Sequence, residues 1–409
     1  MLTGLGLLSG LAVALAGLGA AEQAIHRRRL HAIPTRIHVN GTRGKSSVTR
    51  LIAAGLRAGG VRTCAKTTGT TARFILPDGR EVPIFRPAGA NIIEQRRIVA
   101  VAAAYRPEAL VIECMALQPR LQSLCELRLV RSTHGVITNA RPDHLDVMGP
   151  GPDDVAQALA GTVPVGGTLY TSERERREVF RAAAEDRGSA LVDVGTLEEA
   201  LGTADAAKTL ARFRHTEHSD NVALALRVCT DLGVDPERAL DGMTAAGPDP
   251  GATIERRLHF FGREIVFVNA FAANDPISTR QLWRLASRRA GPVARCVALM
   301  NCRADRPDRS QLLGDAFADW GKGDDDLPGV DHVVVMGTGT FLFADAAVRA
   351  GLDPAKLVFA EGFTTDEIFE RVVALCGTSA LVLGMGNIGG GGLELVSYFR
   401  NRSEPEEAA

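Results

Sequence analysis

The segment Gly41–Ser47 (GTRGKSS) narrows the possible folds of this 409-residue chain more than any other part of the sequence. It follows the run Thr35–Asn40, which is predicted to be a strand, and it opens the helical stretch Lys45–Ala58. A glycine-containing turn between a strand and a helix is the setting in which backbone N–H groups surround phosphate oxygens. The segment therefore predicts a phosphate-binding loop in a parallel α/β sheet.

Two side chains of this loop have predicted chemical roles. Lys45 is predicted to reach the β- and γ-phosphates of ATP, and the Ser46 hydroxyl is predicted to bind Mg²⁺. The common form of the motif places a glycine where this chain has Val39, so only the short form G-T-x-G-K-[ST]-[ST] fits. The other loop residues predicted to bind the nucleotide are Gly41, Thr42, Arg43, Gly44 and Ser47.

Short β-rich runs alternate with helical stretches from Pro34 onwards, which is typical of α/β proteins. The turn-forming segment Ala245–Thr253 (AAGPDPGAT) interrupts this pattern, and the alternation restarts after it. We therefore predict an α/β fold in three parts. These are a transmembrane helix in residues 1–24, a central ATP-binding domain in residues 25–247 and a smaller C-terminal domain in residues 248–409.

The run Leu2–Ala21 contains no charged residue, and about 20 helical residues are enough to cross the hydrocarbon core of a bilayer. The basic cluster His26–Arg29 follows the run, and positively charged flanks stay on the cytoplasmic side. We expect a single-pass protein of the cell membrane with its catalytic domains in the cytoplasm. The alternative is a buried core helix, although the many glycines are more typical of a membrane helix.

Overall charge and cysteine usage argue against other classes of protein. The formal net charge of −1 gives no indication of nucleic-acid binding. The seven cysteines are scattered and form no CxxC pair. This pattern favours buried thiols in a reducing compartment over disulfides or zinc ligands.

Two further polar segments are predicted at the ends of strands. Glu113 lies near the end of the apolar run Ala109–Cys114, where a carboxylate is costly unless a cation compensates it. The segment Asp143–Asp146 (DHLD) follows the run His134–Asn139 and has the composition of Mg²⁺ ligands or their supporting groups, although Mg²⁺ prefers oxygen. The alternatives are a salt-bridged glutamate and a loop of helix-capping carboxylates.

The phosphate loop, the strand-end glutamate and the N-x-x-x-D-H-x-D segment, in this order, resemble the Mur ligase family. That family includes the peptidoglycan amino-acid ligases and folylpolyglutamate synthase. The resemblance implies that Glu113 and His144 hold a second Mg²⁺ and act in catalysis with Lys45, while Ser46 binds the first Mg²⁺. It also implies the family's two-domain ligase fold.

The resemblance extends to residues that would contact the nucleotide elsewhere. It implies that Asn221 reaches the adenine, and that Asn274 and Asp275 face the nucleotide from the C-terminal domain. For Asn221 the alternative is a plain helix cap. For the other two residues it is a capped loop before a helix.

Within that family, the chain is similar over nearly its whole length to the ligase subunit of poly-γ-glutamate synthase. The segments that carry this similarity are HVNGTRGKSSVTRLI, TNARPDHLDVMGP, FVNAFAANDP, MNCRADRPDRS and LGMGNIGGGG. It implies an ATP-dependent amide ligase that polymerises glutamate through an acyl phosphate and releases ADP and phosphate. The implied partners are glutamate, the growing polymer and small membrane subunits, with a second copy of the chain as a further option.

Two departures from the family pattern bear on the site and the substrate. Many Mur ligases use a carbamylated lysine shortly beyond the metal-binding histidine, but this chain has no lysine between Lys66 and Lys208. Water or Asp143 would then complete the metal site. The phosphate loop begins at Gly41, which leaves no room for a UDP-sugar domain and argues against a UDP-MurNAc substrate.

Other functions stay open at this point. One is a folylpolyglutamate synthase-like ligase, and another is a membrane-attached regulatory kinase or switch that joins no substrates. Arg43, Arg73 and Arg86 are candidates to hold glutamate carboxylates, with exposed surface arginines as the alternative. A stripe of small residues on the apolar helix favours association with another membrane helix; its members are Gly6, Gly10, Ala14, Gly17 and Ala21.

Overall fold

The chain divides into two units, Met1–Asp249 and Pro250–Ala409. The computed structural model describes residues 2–69, 72–86, 89–213, 215, 217–247, 254–273, 275–323 and 328–403. Both units are α/β, as predicted, and each is built on one mixed sheet.

The first unit has an eight-stranded sheet in the order β4-β3-β2-β5-β1-β6-β7-β8. Its strands are β1 (Thr35–Asn40), β2 (Thr63–Lys66), β3 (Arg73–Ile75), β4 (Glu81–Pro83), β5 (Ala109–Glu113), β6 (His134–Ile137), β7 (Thr168–Thr171) and β8 (Ala190–Asp193). The six strands from β2 to β8 in this order are parallel, and β3 and β4 add an antiparallel edge. β1 therefore lies in the middle of the sheet, between β5 and β6.

Helices cover this sheet and complete its core. They are α1 (Leu2–His31), α2 (Lys45–Ala58), α3 (Glu94–Ala104), α4 (Pro119–Leu124), α5 (Leu145–Met148), α6 (Pro152–Ala160), α7 (Arg177–Asp186), α8 (Leu197–Leu201), α9 (Thr203–Ala211), α10 (Ser219–Asp231) and α11 (Pro236–Ala245), with a π-helix at Cys125–Val130. In α2, the buried residues Val48, Leu51, Ile52 and Leu56 recur at steps of three, one and four, so that one face packs on the sheet and on α10 and α11.

The second unit has a six-stranded sheet in the order β13-β12-β11-β14-β10-β9. Its strands are β9 (Ile254–Phe260), β10 (Arg263–Asn269), β11 (Arg295–Cys302), β12 (His332–Gly337), β13 (Leu357–Glu361) and β14 (Ser379–Gly386). Its helices are α12 (Pro276–Ala290), α13 (Pro307–Trp320), α14 (Thr340–Arg349), α15 (Thr365–Leu375) and α16 (Gly391–Arg400), with a 3₁₀ turn at Pro354–Lys356. Only β9 is antiparallel to its neighbour among these described strands.

The N-terminal helix α1 is longer than predicted, because it continues without a break to His31 rather than ending near residue 24. Its apolar part, residues 6–21, is exposed. Its last turns pack on the first unit: Glu22 pairs with Arg96 of α3 at 2.9 Å, and His26 Nε2 lies 3.0 Å from the Leu129 carbonyl oxygen. Within the described part of the chain, Gly6–His31 is the one helix long and apolar enough to cross a membrane, by length and composition alone.

All seven cysteines are free and buried, which agrees with the sequence expectation of reduced thiols. The sequence pattern missed the antiparallel edges of both sheets, because β3, β4 and β9 are short or polar runs without a clear hydrophobic alternation. It also missed the π-helix that continues α4. These elements leave the central parallel strands, on which the candidate site is built, as predicted.

Candidate active site

The loop after β1 has the backbone of a phosphate loop. Gly41 and Gly44 have φ angles of +132° and +82°, which residues with a side chain rarely adopt. A Cβ atom at Gly44 would lie 2.5 Å from Asn221 Oδ1, and one at Gly41 would collide with the Thr138 hydroxyl. The glycines are therefore required both by backbone conformation and by close neighbours.

The segment after β6 holds this loop in place. Asn139 Oδ1 accepts hydrogen bonds from the Thr42 hydroxyl at 2.6 Å and from the Arg43 N–H at 3.1 Å. The Thr138 hydroxyl donates to the Arg43 carbonyl at 2.6 Å, and the Arg43 guanidinium lies 3.5 Å from Asp143. The two motifs found in the sequence thus meet at the carboxyl edge of the sheet.

Lys45 bends back over the loop that precedes it. Its Nζ donates to the carbonyl oxygens of Gly41 at 2.6 Å and Thr42 at 3.2 Å. Both acceptors belong to the predicted phosphate loop, so the ammonium lies against that loop. A lysine held in this way is suited to bind phosphate as a compact point charge.

Glu113 ends β5 beside the first turn of α2 and is only 3% exposed. One of its carboxylate oxygens, Oε2, accepts from the Ser46 hydroxyl at 2.8 Å and from the Thr68 N–H at 2.7 Å. Its backbone carbonyl accepts from Gln95 Nε2 at 3.0 Å. A hydroxyl and a carboxylate in contact supply the oxygen ligands that Mg²⁺ prefers, so this pair fits a metal ion beside bound phosphates.

The DHLD segment forms the turn before α5 and the first two residues of that helix. His144 has a φ of +50°, a left-handed conformation that is uncommon for a residue with a side chain and is often found at functional sites. Its Nε2 lies 3.9 Å from Asp143 Oδ1, and both side chains are mostly buried. Among the described residues no group of three or more His, Cys, Asp and Glu is arranged to hold a metal ion. The assignment of His144 as a metal ligand stays a prediction.

Asn221 lies inside the first turn of α10, which begins at Ser219, so it is not the helix cap. Its Nδ2 donates to Glu217 Oε1 at 2.9 Å, and Glu217 Oε2 lies 3.3 Å from His215 Nε2. Burial opposes the charged form of Glu217, but hydrogen bonds from His215, Asn221 and the His218 N–H keep its pKa below the ordinary value. Asn221 is thereby fixed against Gly44; its contact with adenine stays a prediction.

A charged cluster that the sequence pattern did not reveal lies behind Glu113. Lys66 is completely buried, and its Nζ lies 3.0 Å from Glu94 Oε1. Arg86 binds the same carboxylate through Nη2 at 2.8 Å and Nε at 2.5 Å, and it also donates to the Thr68 hydroxyl at 3.1 Å. Arg86, a candidate substrate-binding residue in the sequence, is therefore bound by internal partners.

Desolvation acts on both members of this ion pair. Burial lowers the pKa of Lys66, and the charge of Glu94 opposes that change. Burial also disfavours the charged form of Glu94, but its hydrogen bonds and charge interactions with Arg86 and Lys66 lower its pKa overall. The paired ions thus compensate one another inside the first unit. The only signals for them in the sequence are a lysine at a strand end and a glutamate opening a helix.

In the second unit, Asp275 caps α12 and its Oδ1 accepts from the Ser278 N–H at 2.9 Å. The capped-loop alternative therefore describes its local structure, and its contact with nucleotide stays a prediction. Asn274 lies outside the described residues. The segments MNCRADRPDRS and LGMGNIGGGG of this unit also contact each other. Asn301 Nδ2 donates to the Asn387 carbonyl oxygen at 2.6 Å, and Asn387 Nδ2 donates to the Asn301 carbonyl oxygen at 3.0 Å.

Gly44→Ala is expected to weaken ATP binding at least about tenfold, because the added methyl group combines a strained left-handed backbone with displacement of Asn221. Calorimetric titration with a nonhydrolysable ATP analogue measures the change. Gly60→Ala is the matched control, since Gly60 has a similar φ of +85° but no atom within 4 Å of the added Cβ. Equal losses of affinity in the two variants would contradict the role of the Gly44–Asn221 contact.

Comparison with known proteins agrees with this geometry. The Mur ligase middle domain matches residues 39–227, and the poly-gamma-glutamate synthase CapB C-terminal domain matches residues 255–402. The first match defines the class as a Mur-type ligase. The chain is 37% identical to the capsule biosynthesis protein CapB of Bacillus anthracis over 93% of its own length and 80% of that protein. It is 36% identical to the PGA synthase CapB of Bacillus subtilis (strain 168), over 93% of each chain. The chain belongs to the CapB family of Mur-type ligases.

Solved structures show the same fold at low sequence identity. A bifunctional folylpolyglutamate synthase/dihydrofolate synthase of Yersinia pestis, complexed with AMPPNP and Mn ion, has a TM-score of 0.69 at 14% identity and covers 92% of each chain. FolC of E. coli, in complex with DHPP and ADP, has a TM-score of 0.65 at 16% identity over 93% of each chain. These likenesses confirm the predicted fold class.

Proposed function

We propose that this protein is an ATP-dependent amide ligase that joins glutamate into poly-γ-glutamate. The name of the Bacillus subtilis relative and that of the matching C-terminal domain support the product, and the phosphate loop supports the use of ATP. The observation that carries the proposal is the contact of the Ser46 hydroxyl with the buried Glu113 carboxylate at the end of that loop. This contact joins the predicted phosphate loop to the proposed metal-binding carboxylate within the first unit.

In the proposed reaction, the carboxylate of the growing chain attacks the γ-phosphate of ATP and forms an acyl phosphate and ADP. The amine of the next glutamate, after losing one proton to solvent, then attacks the acyl carbon. The C–O bond to phosphate breaks, phosphate leaves with the bonding electrons, and the nitrogen loses a second proton to solvent as the amide forms. The loop N–H groups and Lys45 bind the phosphates and offset their charge. Mg²⁺, when bound, supplies further charge compensation. Ser46 would hold the first Mg²⁺, and Glu113 and His144 are the proposed ligands of the second.

Incorporation of labelled glutamate into polymer, with parallel measurement of ADP, tests this function. The proposal predicts ADP release that depends on glutamate and increases with polymer formed. Glutamate addition to a folate acceptor, without polymer, would favour the folylpolyglutamate synthase-like alternative. ADP release that is independent of glutamate would favour the regulatory kinase or switch and would contradict the ligase.

We also propose that α1 crosses the membrane once, with both units in the cytoplasm, and contacts membrane subunits or a second copy of the chain. The basic residues at its end and its exposed apolar part support this arrangement. Small residues along one face allow close approach of another helix. A single span provides no export path for an anionic polymer, so separate membrane subunits are required for that step.

Replacing Gly6 and Gly10 together by Leu is expected to reduce co-purification of membrane partners several-fold, because larger side chains block close helix approach. Activity in detergent should persist, since nothing in the structure lies within 4 Å of a Cβ at either position. Gly19→Leu is a suitable control because Gly19 is equally open but lies on a different face. Complexes that survive the double replacement would contradict the proposed helix contact.

A further inference from the structure

The charged cluster behind Glu113 is connected to it through two short routes. Arg86 binds the Thr68 hydroxyl, and the Thr68 N–H donates to Glu113 Oε2 at 2.7 Å. Gln95 is adjacent to Glu94 at the start of α3, and its side chain donates to the Glu113 carbonyl at 3.0 Å. Thr68 therefore connects Arg86, a partner of Glu94, to Glu113, and Gln95 connects the start of α3 to Glu113.

Lys66 reaches this region from the other face of the sheet. It pairs with Ile112 in the register of β2 and β5, one residue before Glu113. Ile112 packs in the cluster that includes α3, whereas the side chain of Glu113 turns toward Ser46 of α2. The ammonium is thus buried beneath the strand end that carries Glu113, where solvent and salt screen its field poorly.

The formal charges of this group cancel. Lys66 and Arg86 are cations, and Glu94 and Glu113 are carboxylates. A buried ion pair is weak evidence for stability, because apolar residues of similar volume often serve equally well. The position of the Glu94 ion pair suggests another role, which is to neutralise the positive charge next to the proposed metal-binding carboxylate of Glu113. Without Glu94, two cations would face the single carboxylate of Glu113 and compete with a metal ion for it.

We propose that Glu94 is a positioning residue for Glu113. The Glu94 carboxylate binds the cations of Lys66 and Arg86 and thereby reduces their attraction for the Glu113 carboxylate, which binds the catalytic metal. This inference rests on the proposed function, in which Glu113 holds Mg²⁺. The proposed role of Glu94 differs from a purely structural role in one testable respect. Removal of Lys66 together with Glu94 restores the charge balance and should restore metal binding.

The test measures binding of Mn²⁺, as a probe for Mg²⁺, by electron paramagnetic resonance in the presence of a nonhydrolysable ATP analogue. Glu94→Gln should weaken binding at least about tenfold, because one uncompensated buried charge then repels the metal. The double variant Lys66→Met/Glu94→Gln should bind within about threefold of the unchanged protein. Glu81→Gln is the control, since Glu81 of the edge strand β4 also pairs with a buried cation, that of Arg50, and should leave binding unchanged.

Normal Mn²⁺ binding by Glu94→Gln, or a double variant as weak as the single one, would overturn the inference. Should Glu94→Gln fail to fold, the double variant, which contains no unpaired lysine, is measured alone. Mn²⁺ binding more than about threefold weaker than that of the unchanged protein would then overturn the inference. Glu113→Gln in the same assay separates the two levels of the argument. Weak binding there with normal binding by Glu94→Gln refutes only the role of Glu94, and normal binding by Glu113→Gln refutes the metal site as well.

Discussion

Lys45→Ala is expected to lower the rate of ATP turnover at least about 100-fold while leaving the fold intact. The ammonium contacts only carbonyl oxygens of its own loop among the hydrogen bonds seen in the described part of the chain. Its removal therefore costs little packing but takes away the charge nearest the predicted phosphate position. Steady-state measurement of ADP release gives the rate, and circular dichroism with thermal unfolding reports the fold.

Lys356→Ala provides a control for loss of a lysine that also donates to a backbone carbonyl, that of Val330 at 2.8 Å. This variant should retain normal turnover, because Lys356 belongs to the second unit and lies outside the phosphate loop. A folded Lys45→Ala protein with unchanged turnover would show that Gly41–Ser47 is not the nucleotide site.

Glu113→Gln is expected to reduce kcat at least about 100-fold and to raise the Mg²⁺ concentration needed for half-maximal rate. An amide oxygen can still accept from Ser46 and Thr68, so the loop geometry should persist. The negative charge that attracts the metal is lost. The midpoint of thermal unfolding should change by only a few degrees, because the change is nearly isosteric.

His144→Ala is the companion variant, and it should also impair Mg²⁺-dependent catalysis more than stability. His144 lies in the turn before α5 and belongs to none of the hydrophobic core clusters of the described residues, so its loss removes little apolar packing. A magnesium titration of both variants distinguishes the outcomes. Wild-type rate and magnesium dependence in both would place the second metal site elsewhere.

The central part of the first unit could be predicted because local signals agree there. The run Thr35–Asn40, the glycines of the loop and the periodic apolar face of Lys45–Ala58 all indicate strand, turn and helix at the observed positions. Glu113 follows the same logic, since a carboxylate that ends an apolar strand needs a partner and finds Ser46. Parallel strands bring such ends together at one edge of a sheet.

The cluster behind Glu113 could not be predicted, because its members are brought together only by tertiary structure. Lys66 and Glu94 are 28 positions apart in sequence, and neither residue type nor spacing indicates that they meet. The same holds for Arg86, which in sequence is one arginine among many. Asn221 shows the intermediate case: a helix start was recognisable, but its contact with Gly44 depends on how α10 packs against α2.

The unbroken course of α1 into the first unit has a mechanical consequence. In the proposed membrane-bound protein, the earlier turns of α1 lie in lipid, and Glu22 and His26 of the same continuous helix contact the first unit. The helix therefore connects the bilayer to the first unit without an intervening loop. The length of α1 then determines both the distance of the phosphate loop from the membrane and the direction in which the loop faces. Each residue added to α1 would move the first unit about 1.5 Å further from the membrane and rotate it by about 100° about the helix axis. A short insertion would therefore change the orientation of the phosphate loop much more than its distance from the membrane.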